Sequence, residues 1–292
     1  MNASKHIDPA IQVRNLTKSY GPDQLTFSVP RGVISGFLGP NGAGKTTTIR
    51  ILMGMAHAGG GTTRILGEDR RSPVALFDRV AFVPESKDLY PFARAGEMIH
   101  LTRGFYPRWD HELERRLIDM FEIRRDMWCA KLSRGQRTKL TLLLALCRRA
   151  ELLVLDEPTE GLDPVGIEQT LRLLVEEVAE HGATVFFSSH QLPEVEQIAD
   201  HVVMIRRGRC VVEGGLDQIR EQSRRVRCLV ENDNATLPGV AAGWHRDGRF
   251  LTGFSSEPAE ALASKLEASG IQLIESEPAT LKEIFFEQMV RS

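Results

Sequence analysis

Nothing in the sequence is apolar for long enough to cross a membrane. Its unbroken apolar runs are short, Leu142 to Cys147 among them, against the roughly 18 residues that a span needs. The opening Met-Asn-Ala-Ser-Lys-His leads into no apolar stretch of signal-peptide length, so the expected location is the cytosol. Cysteine is scarce. Cys129, Cys147, Cys210 and Cys228 form no C-x-x-C pair and no zinc spacing, which makes free thiols the expectation in a reducing compartment. Net charge is small as well: 37 Lys and Arg stand against 39 Asp and Glu. A net charge of −2 gives no bulk field to attract nucleic acid. The pairs Arg148-Arg149, Arg206-Arg207 and Arg224-Arg225 are dispersed and read as helix ends and turns. Internal repeats, low-complexity tracts and sustained heptads are all lacking.

What remains is an ordinary globular composition, 42 % hydrophobic and 26 % charged over 292 residues. That length suits one large domain or two unequal ones. Strand patterns at 11–13, 25–29, 33–38, 80–83, 152–155 and 183–187 alternate with helical stretches at 45–55, 139–150 and 165–180. Such alternation predicts an α/β core with a mainly parallel sheet. Residues 87–150 carry no strand signal. Leu113, Leu117, Ile118 and Phe121 there fall on one helical face. Gly59-Gly60-Gly61 reads as a loop, and 202–213 as a hairpin. Composition shifts near 221, which divides the chain into 1–220, with a helical subdomain at about 87–150, and a small α+β appendage at 221–292.

Gly39-Pro40-Asn41-Gly42-Ala43-Gly44-Lys45-Thr46 matches G-x-x-x-x-G-K-[ST] between a predicted strand and a predicted helix. Its glycines let backbone N–H groups approach phosphate oxygens without a side chain in the way. The helix N-terminus adds fixed positive potential. Lys45 offers a point charge for β- and γ-phosphates, and Thr46 a hydroxyl for Mg²⁺. Leu152-Leu153-Val154-Leu155-Asp156-Glu157 is a buried-type strand that delivers two carboxylates to its C-terminal end, where open α/β sheets hold ligands. Asp156 is placed to hold Mg²⁺ through water, and Glu157 to polarise an attacking water as general base. Ser133 in Leu132-Ser133-Arg134-Gly135-Gln136 reads as a helix N-cap, and Gly135 as a point where a backbone N–H is left open.

Taken with His190 after Ser188-Ser189, these segments resemble the ATP-binding cassette (ABC) family of transport ATPases over about residues 11–220. The resemblance implies a P-loop core, a helical subdomain bearing the signature Ser133–Gln136, and a head-to-tail dimer. Arg134 replaces the usual glycine of that signature. ATP and Mg²⁺ are the implied ligands. Their implied nucleotide contacts are Tyr20 on the adenine, Gly39, Pro40, Asn41, Gly42, Ala43, Gly44, Lys45, Thr46, Thr47, Glu85 and Asp156, with Ser133, Arg134, Gly135, Gln136 and Asp163 at the dimer interface. Thr46, Glu85 and Asp156 are the implied metal ligands, and Glu157, His190 and Lys45 the catalytic set. Glu85 stands where the family usually has Gln, and Glu160 where it more often has Ser. Glu85, the end segment Ala279–Phe286 and, less specifically, Phe105–Asp110 resemble the bacterial exporters of drugs, antibiotics and polymers. The implied role is an exporter ATPase serving a separately encoded membrane-spanning subunit, peripheral on the cytoplasmic face of the membrane, as a homodimer or heterodimer. The alternatives are an importer ATPase and a soluble cassette in translation or DNA repair. Against the latter, only one phosphate loop is present.

Overall fold

A computed structural model describes residues 8–17, 24–69, 76, 78–230, 242–257, 259–267 and 269–290. The chain divides into two compact units, Met1–Glu213 and Gly214–Ser292.

The first unit opens with β1 (Ile11–Thr17), β2 (Leu25–Val29) and β3 (Ile34–Leu38), then α1 (Lys45–Leu52), β4 (Gly60–Ile65), β5 (Glu68–Asp69) and β6 (Val80–Val83). Three helices follow without an intervening strand: α2 (Ala95–Arg103), α3 (His111–Met120) and α4 (Arg134–Leu146). The unit closes with β7 (Leu152–Asp156), α5 (Pro164–His181), β8 (Thr184–Ser188), α6 (Leu192–Ile198), β9 (His201–Arg206) and β10 (Arg209–Gly215), the last running two residues past the boundary.

Two sheets organise this unit. One has strand order β10-β9-β3-β8-β7-β6, and its pairs from β9 across to β6 are parallel. Every residue of β3, β7 and β8 is buried, as expected of strands covered on both faces. The second sheet, in order β2-β1-β4-β5, is antiparallel. Phe27 of β2 packs on Phe37 of β3 and Phe186 of β8 with ring centroids 5.5 and 6.0 Å apart, which joins the two sheets through one apolar core. Gly60 and Gly61, expected in a loop, begin β4 instead. A methyl group on Gly61, at φ 84°, would lie 2.3 Å from the Asn15 carbonyl, so glycine serves here to bring β4 against β1.

Polar contacts pin the helical segment. Asp110 caps α3 by accepting from the backbone N–H of Glu112 and Leu113. Arg149, just past α4, reaches Asp110 Oδ2 at 2.7 and 2.9 Å and Glu177 Oε1 of α5 at 2.5 Å. Buried Trp109 donates to Glu114 Oε2 at 2.8 Å, and Arg125 donates to the other oxygen of that carboxylate at 2.6 Å.

The second unit holds α7 (Leu216–Gln222), β11 (Arg224–Val230), β12 (Ala242–Asp247), β13 (Phe250–Ser255), α8 (Ala259–Glu267), β14 (Ile271–Pro278) and α9 (Leu281–Val290). Its antiparallel sheet, in order β12-β13-β11-β14, shares a small core with α8 through Val226, Cys228, Leu251, Leu262 and Leu266.

Candidate functional site

Four neighbouring strands of the parallel sheet, β3, β8, β7 and β6, end on one side, and each end carries polar residues. The loop after β3 is Gly39–Gly44, with α1 beginning at Lys45. Gly42 and Gly44 have φ of 79° and 106°, where an L side chain is strained. A methyl group on either would meet nothing within 4 Å, so the loop forms an open cradle. Pro40 accepts from Ala43 N at 3.1 Å, and Ala43 in turn accepts from Gly208 N at 3.2 Å, which ties the cradle to the β9–β10 turn. Gly39 lies against the Ile205 carbonyl, with room for no Cβ. The nearly buried Lys45 ammonium donates to Gly39 O at 2.7 Å. Asn41 is exposed at the tip, and Thr47 lies in the first turn of α1.

Thr46 donates to Glu85 Oε2 at 3.2 Å. Ser188, in register with Asp156 on the neighbouring strand, donates to Asp156 Oδ1 at 2.5 Å. Burial pushes the Asp156 carboxyl above its ordinary range, and the Ser188 and Thr46 hydroxyls pull it back. The donors gathered here are one hydroxyl and two carboxylates. An all-oxygen set of this kind fits Mg²⁺, whose remaining positions are filled by water and phosphate. No three His, Cys, Asp or Glu side chains come together as a metal cluster among the described residues.

Glu157 follows with φ 51°, a left-handed backbone that non-glycine residues rarely adopt. Its N–H donates to Ser188 Oγ at 3.1 Å, and its Oε2 lies 2.7 Å from His190 Nδ1. Burial raises the Glu157 carboxyl, with His190 opposing, a direction that favours a proton acceptor working near neutrality. Glu194, buried on α6, accepts from Thr159 and Ser189 at 2.8 and 2.9 Å, so the turns after β7 and β8 are tied together.

Ser133–Gln136 assembles with a different group. Ser133 caps α4: its Oγ accepts from Gln136 N at 3.2 Å, and its N–H donates to Gln136 Oε1 at 2.9 Å. Arg134 pairs with Glu160. A methyl on Gly135 would sit 2.5 Å from the Gly161 carbonyl, so within this chain the glycine is needed for that approach. Asp163 caps α5, accepting from Gly166 N at 2.7 Å. Tyr20 lies outside the described residues.

Two features escaped the sequence reading. Lys87 is buried beneath the carboxylates and donates to three carbonyls: Pro84 at 2.6 Å, Asp156 at 2.9 Å and Glu157 at 3.2 Å. Burial pulls its ammonium down to about 8, against Asp156, Glu160, Glu157 and Glu85. A lone lysine in a loop carries no local signal for this. The second is an exposed aromatic patch just beyond it. Tyr90 and Phe92 stack at 5.6 Å, and the Arg94 guanidinium lies 5.1 Å from the ring of Trp128. Phe92 is 74 % exposed, unusual for a ring of that size.

The family described as "ABC transporter" matches residues 22–160. The chain is 36 % identical over 222 residues to the SkfA peptide export ATP-binding protein SkfE of Bacillus subtilis, covering 73 % of the chain and 92 % of that relative. It is 30 % identical over 299 residues to the Nod factor export ATP-binding protein I of Sinorhizobium fredii, covering 95 % and 85 %. Among solved structures, one described as the ATP binding subunit of an ABC transporter superposes with a TM-score of 0.67 at 31 % identity, covering 73 % of the chain and 92 % of its own.

Proposed function

The chain belongs to the ABC transporter family, as one of its ATP-binding and ATP-hydrolysing subunits, and from that premise we propose that it energises export through a separately encoded membrane-spanning subunit. The reading rests above all on the convergence of Lys45, Thr46, Asp156, Glu157 and His190 at neighbouring strand ends of one sheet. The likeness to subunits named for peptide and Nod factor export supports the direction of transport. The exposed Tyr90, Phe92 and Trp128 offer the membrane subunit an apolar surface. Among the described residues no helix is long and apolar enough to cross a membrane, which suits attachment to the cytoplasmic face through that partner.

In this reading the N–H groups of Gly42–Thr46 surround the phosphates of ATP, and Lys45 exchanges its bond to Gly39 O for β- and γ-phosphate oxygens. Thr46, Asp156 and Glu85 would hold Mg²⁺, which would supply positive charge against those phosphates. Glu157 orients the attacking water and takes its proton. His190 holds the Glu157 carboxylate and reaches toward the γ-phosphate. Ser133, Arg134, Gly135, Gln136 and Asp163 complete the site of a second cassette in a head-to-tail dimer.

That dimer supplies the test. Glu157→Gln keeps shape and removes the base, so hydrolysis slows on the order of 10² or more while ATP still binds. The variant is expected to run as a monomer without nucleotide and as a dimer with ATP in size-exclusion chromatography. Adding Ser133→Arg returns it to a monomer. A Glu157→Gln chain that binds ATP yet stays monomeric, with its membrane partner present as well as absent, would refute the shared site.

A further inference from the structure

The Lys87 ammonium bonds the backbone that carries the two carboxylates. Three donors meet three carbonyls, so the group's hydrogen-bonding capacity is used up by Pro84 at the end of β6 and by Asp156 and Glu157 at the end of β7. The Glu157 peptide is thereby held from both sides. Its N–H is fixed by Ser188 on β8, and its C=O by Lys87 from beyond β6 together with a longer bond from Glu160 N at 3.3 Å. This matters because Glu157 keeps a left-handed backbone, φ 51°, that persists only where its surroundings enforce it. Relaxation of that backbone would swing the carboxylate away from His190.

We propose that Lys87 is a positioning residue for hydrolysis, fixing the strained backbone from which the Glu157 carboxylate projects and tying it to the loop that carries Glu85. The proposal rests on the reading of Glu157 as the base. An apolar side chain of the same length fills the space but removes the lysine's bonds to Pro84 and Asp156 and leaves the Glu157 carbonyl only the long bond from Glu160 N at 3.3 Å, and the Glu157 carboxylate then samples orientations in which it cannot align water. A displacement of about 1 Å at a catalytic group is enough for a rate loss near 10². Nucleotide affinity, set by the cradle and by Lys45, is left nearly as it was.

The test uses the full chain with MgATP. Lys87→Met is expected to lower kcat about ten- to a hundredfold, with KM and the affinity for a fluorescent ATP analogue changed by less than about threefold. Lys87→Arg, which keeps charge and donors, recovers part of the rate. Lys87→Gln, with two donors, gives an intermediate value and serves if the methionine variant does not fold. In a Glu157→Gln background, Lys87→Met is expected to change the residual rate by less than about twofold, because the group it positions is already gone. Wild-type kcat in Lys87→Met overturns the proposal. So does an equal loss with and without the Glu157 carboxylate, or a parallel loss of kcat, ATP affinity and unfolding midpoint, which marks a purely structural role. If Glu157→Gln alone turns over at the wild-type rate, the base assignment has failed, an outcome distinct from failure at Lys87.

Discussion

Replacing Arg149 by methionine removes the pin between the helical segment and α5. The guanidinium bonds Asp110, the cap of α3, and Glu177, on the buried face of α5. The Glu177 side chain is 6 % exposed and that of Asp110 25 %, so water can reach Asp110 and cannot reach Glu177. Most of the cost therefore falls on Glu177, left as a buried charge without its counter-ion. Breaking such a pair costs about 3 kcal/mol. For a unit of this size that corresponds to a fall of roughly 6–12 °C in the unfolding midpoint. The pH dependence has a definite sign. Burial already raises the Glu177 carboxyl, and Arg149 works against that rise. Asp110 is held low in spite of burial by the Leu113 N–H and by Arg149. Without Arg149 both folded-state values move up. Stability is then retained below the unfolded carboxylate range and lost as pH rises through the higher folded values. Urea unfolding of wild type and Arg149→Met should show a small gap near pH 5 that widens toward pH 8. Adding Glu177→Gln should recover much of the loss, since the buried charge goes with it. An unchanged midpoint at pH 7.5, or a gap that widens as pH falls, would refute the reasoning.

Gly135→Ala places a methyl 2.5 Å from the Gly161 carbonyl, so α4 and the Gly161 turn must move apart. The expected loss is about 1–3 kcal/mol of stability in urea and about tenfold in ATPase rate, and unchanged values would mean the two segments do not touch. Lys45→Ala removes the charge proposed to face the phosphates and should abolish turnover and weaken ATP binding strongly in equilibrium titrations; wild-type-like turnover would sink the assignment. Burial raises the thiols of Cys129, Cys147, Cys210 and Cys228, the last two to about 11. Ellman's reagent at pH 8 should therefore react only slowly with the native chain and with all four thiols after denaturation. Fast reaction of a native thiol would contradict that packing.

The parts of the site written contiguously were legible in advance. The Gly39–Thr46 loop needs only its own glycines and the strand and helix on either side. Asp156 and Glu157 announce themselves by the apolar run before them. Parts assembled across the chain were not legible. Lys87 meets Asp156 and Glu157 across 69 and 70 residues, through backbone carbonyls that any residue type would supply. Gly60 and Gly61 look like a turn because their strand role comes from the close approach of β1. At Ser133 the residues alone suggest a helix cap, and a cap is what the single chain contains. Its other implied role needs a second copy.

The order of the parallel sheet carries a consequence for descent. The cradle leaves β3, His190 leaves β8, the carboxylates leave β7, and Glu85 leaves β6, all adjacent in that order. Neighbouring strands sit about 4.8 Å apart, so the ladder itself measures out the active site. The helical stretch between β6 and β7 begins and ends on paired strands, Val83 beside Leu155. Changes in its exposed parts, away from Lys87, Gly135 and Arg149, leave those intervals unchanged. If the exposed Tyr90, Phe92 and Trp128 meet the membrane subunit as proposed, that patch can change with the partner while the strand ends keep their spacing.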